Sequence, residues 1–146
     1  MNLVTPQLAV GSRLDASDPV RLEELGIQAL LSLATVARPR SIWCQLQLQM
    51  ADRQPLPDTT IDRAMQFIHA QLQLGRRVLV HCEMGISRSP SLVASYLHQY
   101  RGLDLDQAIA AVQAVRPIAD PHPELIRSLR HYHQQRLQRL PHGNAA

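Results

Sequence analysis

The segment Val78-Leu79-Val80-His81-Cys82-Glu83-Met84-Gly85-Ile86-Ser87-Arg88-Ser89-Pro90 reads as a strand, a tight loop and a helix start in immediate succession. Val78 to Val80 is apolar throughout, as a strand buried on both faces requires. An apolar periodic segment begins near Leu92 and marks the following helix. The start of a helix presents unpaired backbone N–H groups and the positive end of its dipole. A loop wrapping ahead of it adds further inward N–H groups, so the whole makes an anion cradle. Cys82 opens that cradle and Arg88 closes it. Such a field favours a thiol as its nucleophilic anion. A guanidinium in the same place offers a planar fork matching two phosphate oxygens. A nucleophile and an anion clamp on one loop point to phosphoryl transfer to sulfur.

The rival phosphate-binding loop, glycine-rich and nucleotide-holding, needs a lysine before its Ser or Thr. This chain has no lysine, and its fifteen basic residues are all arginine. Working outward, the remaining segments fall into alternating strands and helices. Leu8-Ala9-Val10 reads as a short strand ending at Gly11-Ser12. Ser17-Asp18-Pro19 opens a short helix with a capping side chain and a proline where its missing N–H does no harm, and Gly26 stops it. Ile27 to Leu33 reads as a buried strand, and Trp43 to Met50 as a strand with one wet face. Asp58 is expected to cap a helix from Thr59 to Leu74, with Ile61, Met65, Ile68 and Leu72 at helical spacing and Gly75 as its stop. Further helices are expected from Leu92 to Tyr100, from Asp104 or Asp106 to Arg116, and after Pro121-His122-Pro123-Glu124. This alternation predicts an α/β fold with a central, largely parallel sheet flanked by helices on both faces.

The spacing Cys82-x5-Arg88 followed by Ser89 resembles the cysteine-dependent protein phosphatases. The fuller string His81-Cys82-x-x-Gly85-x-Ser87-Arg88-Ser89 resembles their dual-specificity branch, in its small single-domain form. Leu8 to Ser12 is similar to that family's opening strand and Gly-Ser turn, and Leu25-Gly26-Ile27 to the element before its second strand. Arg116 to His122 resembles a segment usually reading Arg-Pro…Pro-Asn, with His122 where the family often has Asn. The resemblance therefore covers most of the chain.

It implies a phosphoprotein phosphatase that hydrolyses phosphotyrosine, and phosphoserine and phosphothreonine besides, through a phosphocysteine intermediate. Cys82 is the expected nucleophile and Arg88 the bidentate clamp. The phosphate-binding loop is Glu83, Met84, Gly85, Ile86, Ser87 and Arg88. Gly85 allows the backbone turn that aims the amides inward. By resemblance, Ser89 stabilises the leaving thiolate and His81 supports the loop. A carboxylic acid must protonate the leaving oxygen, and in the family it lies about thirty residues before the cysteine on a mobile loop. Asp52 lies thirty residues before Cys82 and directly follows a strand. Asp58 is its competitor, with the local role of a helix cap.

Other thiolate enzymes, of the sulfurtransferase or arsenate-reductase kind, also use a loop cysteine, and a phosphate-binding module without turnover would need the same cradle. The Ser89 hydroxyl and the Asp52 spacing favour the phosphatase. Recognition loops of tyrosine-specific relatives are aromatic, whereas before Cys82 this chain has no tyrosine and only Trp43 and Phe67. Relatives acting on inositol lipids carry basic loop residues, where this chain has Glu83, Met84 and Ile86.

Length and composition bound these expectations. A chain of 146 residues with 45% apolar residues makes one domain with one core. We expect residues 1–141 to form a dual-specificity-phosphatase-like catalytic domain and 142–146 a flexible tail. Net charge is +3 and the pI is near 9.4, a mild basic bias that suits phosphorylated substrates, nucleic acid or simply solubility. Aromatic residues make up only 3%, too few for the stacking surfaces that hold single-stranded nucleic acid. No apolar run reaches membrane-spanning length, and Met1 to Pro6 lacks the regions of a secretory signal. The expected compartment is cytoplasmic, where a working thiol stays reduced. A monomer is the default expectation. No cofactor and no metal are expected, since the seven histidines do not fall at metal-ligand spacing. Cys44 reads as a half-buried strand residue, with a protective disulfide to Cys82 as the alternative.

Overall fold

A computed structural model of the chain describes residues 1–139. In chain order the elements are β1 (Asn2–Thr5), β2 (Leu8–Gly11), α1 (Arg13–Ala16), α2 (Pro19–Glu24), β3 (Ile27–Ser32), β4 (Cys44–Gln47), α3 (Asp58–Gln73), β5 (Arg77–His81), α4 (Arg88–Arg101), α5 (Leu105–Val115) and α6 (Pro123–Arg139). One five-stranded sheet has the order β1-β2-β5-β3-β4. β5 pairs parallel with β2 and β3, β3 pairs parallel with β4, and only β1 runs antiparallel, at the edge. The expected largely parallel sheet with helices on both faces is therefore the observed one. The tail expected at 142–146 lies outside the described residues.

The two faces are written in the strand alternation. Leu8, Val10, Ala29, Leu31, Val78 and Val80 face a large core with α3, α4, α5 and α6. Ala9, Leu30 and Leu79 face the opposite way, onto Ala16 of α1, Leu22 of α2, and Val36 and Ile42. Ile27 joins this smaller cluster because the β3–β5 register slips between Ile27 and Ala29, and one residue of slip exchanges faces.

Several boundaries differ from expectation. β1 has no period to read: it is four residues of mixed polarity held as an edge strand. α1 is a single turn fixed by a capping box, in which Asp15 N donates to Ser12 Oγ and Ser12 N donates to Asp15 Oδ2. β4 stops at Gln47 rather than Met50, because the chain then bends and turns the Met50 carbonyl toward Arg88. Asp58 is not a side-chain cap. Pro57 holds the cap position without a side-chain bond, and Asp58 lies in the first turn, where its charge suits the dipole. α4 starts at Arg88, four residues earlier than the periodicity suggested, since Ser91 N donates to the Ser87 carbonyl and Pro90 falls in the first turn, where no N–H partner is needed. Among the described residues no helix is long and apolar enough to cross a membrane.

A polar thread runs through the helical layer. Arg136 Nε donates to His133 Nδ1 at 3.2 Å, so the imidazole carries its proton on Nε2, which faces Ser95 Oγ at 2.8 Å. The Ser95 hydroxyl donates in turn to Met65 Sδ at 3.4 Å. Burial first, then the charges of His98 and Arg136, push the His133 pKa down from 6.5 to about 3. The unfolded chain thus takes up a proton, between those two values, that the folded chain refuses. This stabilisation is complete above pH 6.5 and is lost as pH falls toward 3. Thermal unfolding followed from pH 7 to pH 5 should show a falling midpoint, and the fall should be smaller in His133→Gln. A midpoint independent of pH over that range would contradict the buried neutral imidazole.

Candidate active site

The C-terminal ends of the parallel strands meet at one edge of the sheet, with Gly11, His81 and Ser32 in register across β2, β5 and β3. Crevices outside such ends are where open α/β sheets bind ligands. Here the loop from Cys82 to Ser87 leaves β5 and enters α4. Beside it lies a cleft of about 330 Å³ lined by Asp52, Arg53, Cys82, Met84, Ser87, Arg88 and His122 among others.

The loop turns its amides inward because its carbonyls are held from behind. Arg116, at the end of α5 and buried, donates from Nε to the Gly85 carbonyl at 2.7 Å and from Nη2 to the Met84 carbonyl at 3.1 Å. Asn2 Oδ1 accepts from its Nη1 at 2.8 Å, so edge strand β1 anchors the brace. With those peptides so oriented, Gly85 N donates to Cys82 Sγ at 3.2 Å. Gly85 has φ +70, and a Cβ there would sit 2.5 Å from Arg116 Nη2 and 2.8 Å from the Gly11 backbone. Only glycine satisfies both the conformation and the space.

Cys82 Sγ also lies 3.2 Å from Ser89 Oγ, in the first turn of α4, and is 3% exposed. Arg88 donates from Nη1 to the carbonyls of Met50, at 3.1 Å, and Leu33, at 3.4 Å. Among the described residues its Nε and Nη2 have no protein acceptor, which leaves donors for an anion in the cleft. His81 is fully buried, and burial holds its imidazole below the ordinary range. Its Nε2 lies 2.6 Å from Ser32 Oγ and its Nδ1 3.3 Å from the Cys82 carbonyl. Ser32 Oγ also accepts from Gln45 Nε2 at 3.0 Å. The Ser32 proton therefore goes to Nε2, and Nδ1–H supports the start of the loop.

Asp52 also lines the cleft. Its Oδ1 accepts from Ser87 Oγ at 2.8 Å and from Arg53 N at 2.9 Å. Asp58 lines a different hollow, with Pro55, Leu56 and Glu124. Glu83 at the rim is paired with Arg13, whose Nε lies 3.1 Å from both carboxylate oxygens. Both are half exposed, so the pair adds little stability, but it offsets a carboxylate beside the thiol. Met84 projects 61% exposed at the mouth.

A match to the dual specificity phosphatase catalytic domain runs over residues 8–135. The chain belongs to this family. It is 32% identical over 143 residues to Dual specificity protein phosphatase 15 of Mus musculus, covering 96% of this chain and 60% of that protein. It is 30% identical over 139 residues to Tyrosine-protein phosphatase vhp-1 of Caenorhabditis elegans, covering 90% of this chain and 21% of that one. The chain thus spans less than two thirds of the length of these relatives. The crystal structure of human DUSP28 superposes with a TM-score of 0.85 over 96% of this chain and 100% of that one, at 23% identity, a likeness of fold.

The structure places Asp52, Cys82, Glu83, Met84, Ile86, Ser87 and Arg88 on one cleft, with Gly85 and Ser89 against the Cys82 sulfur and His81 bonded to the Cys82 carbonyl. Cys44 stays apart. It pairs with Ala29, which pairs with Val78, so it sits two strands away and four residues down the sheet from Cys82. At about 4.8 Å per strand and 3.3 Å per residue, that separation far exceeds the ~7 Å limit for a disulfide. Both cysteines are free. His122 sits at the start of α6, where its Nδ1 accepts from Glu124 N at 3.1 Å, and it also lines the cleft, its N–H donating to Ser87 Oγ at 3.0 Å. Sequence reasoning missed Arg116 as a brace, as well as Ser32 and Gln45. The run Arg116-Pro117 looked like a plain helix stop, and only the loop's outward carbonyls reveal what the guanidinium is for.

Proposed function

We propose that the cleft is the active site of a phosphoprotein phosphatase working in two steps through a phosphocysteine. Cys82 Sγ attacks phosphorus while the loop amides and Arg88 hold the equatorial oxygens. Asp52 protonates the departing oxygen, then acts as base toward the water that hydrolyses the S–P bond. Ser89 donates to the sulfur as it leaves. His81, buried and neutral, supports the loop and is no general base. The residues present need no metal for any of these steps. In this reading residues 1–141 are the catalytic domain, acting as a monomer on phosphorylated proteins in the cytoplasm.

One observation carries the reading: a thiol that accepts from Gly85 N and lies beside Ser89 Oγ, in a cleft lined also by Arg88 and the Asp52 carboxyl. Sulfur transfer needs neither the hydroxyl nor the acid, and a binding module has no use for the acid. Among the described residues no Phe, Tyr or Trp lines the cleft. We therefore expect phosphoserine and phosphothreonine to be accepted beside phosphotyrosine. Assays of p-nitrophenyl phosphate and of matched phosphopeptides test this: all three phosphopeptides should turn over without added metal. Phosphotyrosine hydrolysis with no detectable phosphoserine or phosphothreonine turnover would refute the dual preference. Thiosulfate turnover without phosphatase activity would refute the reaction class.

A further inference from the structure

The hydroxyl of Ser87 sits where three parts of the site meet. It accepts from His122 N at 3.0 Å and lies 2.8 Å from Asp52 Oδ1. A hydroxyl has one proton to give, and with its oxygen engaged by His122 that proton goes to Asp52. Ser87 is itself fixed, since its carbonyl accepts from Ser91 N at 3.1 Å and from Ser91 Oγ at 2.7 Å. Asp52 Oδ1 receives a second bond from Arg53 N at 2.9 Å. Arg53 adopts φ +62, the left-handed region that residues with a Cβ seldom occupy. The turn thus holds an unfavourable backbone at the residue whose amide meets the acid.

Two donors on Oδ1 leave Oδ2 as the oxygen that can carry a proton. We propose that Ser87 is a positioning residue: its hydroxyl holds the Asp52 carboxyl over the cleft with Oδ1 occupied, so that the transferable proton rides on Oδ2. This rests on the phosphatase reading above, with Asp52 as the acid. In the first step the S–P bond to Cys82 forms while the P–O bond to the leaving group breaks. The bond's electron pair stays with the leaving oxygen, and the proton on Oδ2 passes to it, so an alcohol departs and Asp52 is left as carboxylate. A carboxyl that swings away from this pose loses the proton transfer but leaves the phosphate cradle intact.

The test compares kcat/KM for p-nitrophenyl phosphate, whose leaving group needs little protonation, with that for phenyl phosphate, whose leaving group needs much. Asp52→Ala should widen the ratio between the two substrates. Ser87→Ala should widen it in the same sense by about tenfold, a part of the ~10²–10⁴ that a positioned acid supplies. Ser87→Thr should restore the parent ratio. In the Asp52→Ala background, Ser87→Ala should change the ratio no further. The inhibition constant of inorganic phosphate reports the cradle separately and should stay within about threefold of the parent in Ser87→Ala. An equal fall on both substrates, or a large rise in that inhibition constant, would show that Ser87 only shapes the loop and would overturn the proposal. A further widening in the Asp52→Ala background would overturn it as well. Should Asp52→Ala itself leave the ratio unchanged, the assignment of the acid fails first and takes the positioning role with it.

Discussion

Cys82→Ser should abolish turnover of p-nitrophenyl phosphate while leaving a protein that still binds inorganic phosphate. A serine hydroxyl keeps its proton at neutral pH, and among the described residues no general base lies within hydrogen-bond reach of this position to remove it. His81 is turned to Ser32 and the Cys82 carbonyl, and the sulfur's contacts are Gly85 N and Ser89 Oγ. Removing the nucleophile from such a coupled set costs on the order of 10⁶ in kcat. The anion donors are untouched, because Arg116 orients the loop amides from behind and the Leu33 and Met50 carbonyls anchor Arg88. Calorimetric titration with phosphate should therefore give an affinity close to the parent's. A Cys82→Ser protein that turns over at a hundredth of the parent rate or faster would contradict the nucleophile assignment.

The second large effect belongs to Asp52→Ala, which should lower kcat/KM for phenyl phosphate by ~10²–10⁴. Asp52 is half-buried on the cleft wall, bonded to the loop through Ser87, and among the described residues no other carboxyl shares that arrangement. Glu83 is tied to Arg13. Asp120 also lines the cleft, but its carboxyl makes no bond to the loop; only its backbone N–H does, to the Ile86 carbonyl at 2.7 Å. Asp58 opens α3 and lines a separate hollow beside α6, so Asp58→Ala should change the rate less than about twofold. An Asp52→Ala enzyme as active as its parent, paired with a dead Asp58→Ala enzyme, would reverse the two roles.

Much of this architecture could be read from residue order, and the reasons are local. β5 is apolar on both faces and the cradle follows it directly, so Val78 to Pro90 announced strand, loop and helix together. The place of Asp52 on the cleft wall was legible through its distance from Cys82 and its position after a strand. What could not be read arises from contacts distant in sequence. Arg116 is 31 residues from the Gly85 carbonyl it holds, and Asn2 is 114 from Arg116. No spacing rule links a helix-end arginine to an edge strand that itself shows no periodicity. His122 could be aligned with a motif, but its engagement with Ser87 appears only when the α5–α6 connection folds over the loop. Asp58 was misread for the opposite reason. A carboxyl before Thr59-Thr60 is a strong local cap signal, yet Pro57 restricts the backbone and takes the cap position first.

The account stands on transfer of the phosphoryl group to one sulfur. Rapid acid quench of Ser89→Ala with radiolabelled phosphorylated substrate examines this directly, because losing the hydroxyl at 3.2 Å from the sulfur should slow breakdown of the intermediate and let it accumulate. The predicted result is acid-stable label, approaching one phosphate per chain, on the peptide containing Cys82. Full turnover with no label on protein at any quench time, or label on another residue, would contradict it.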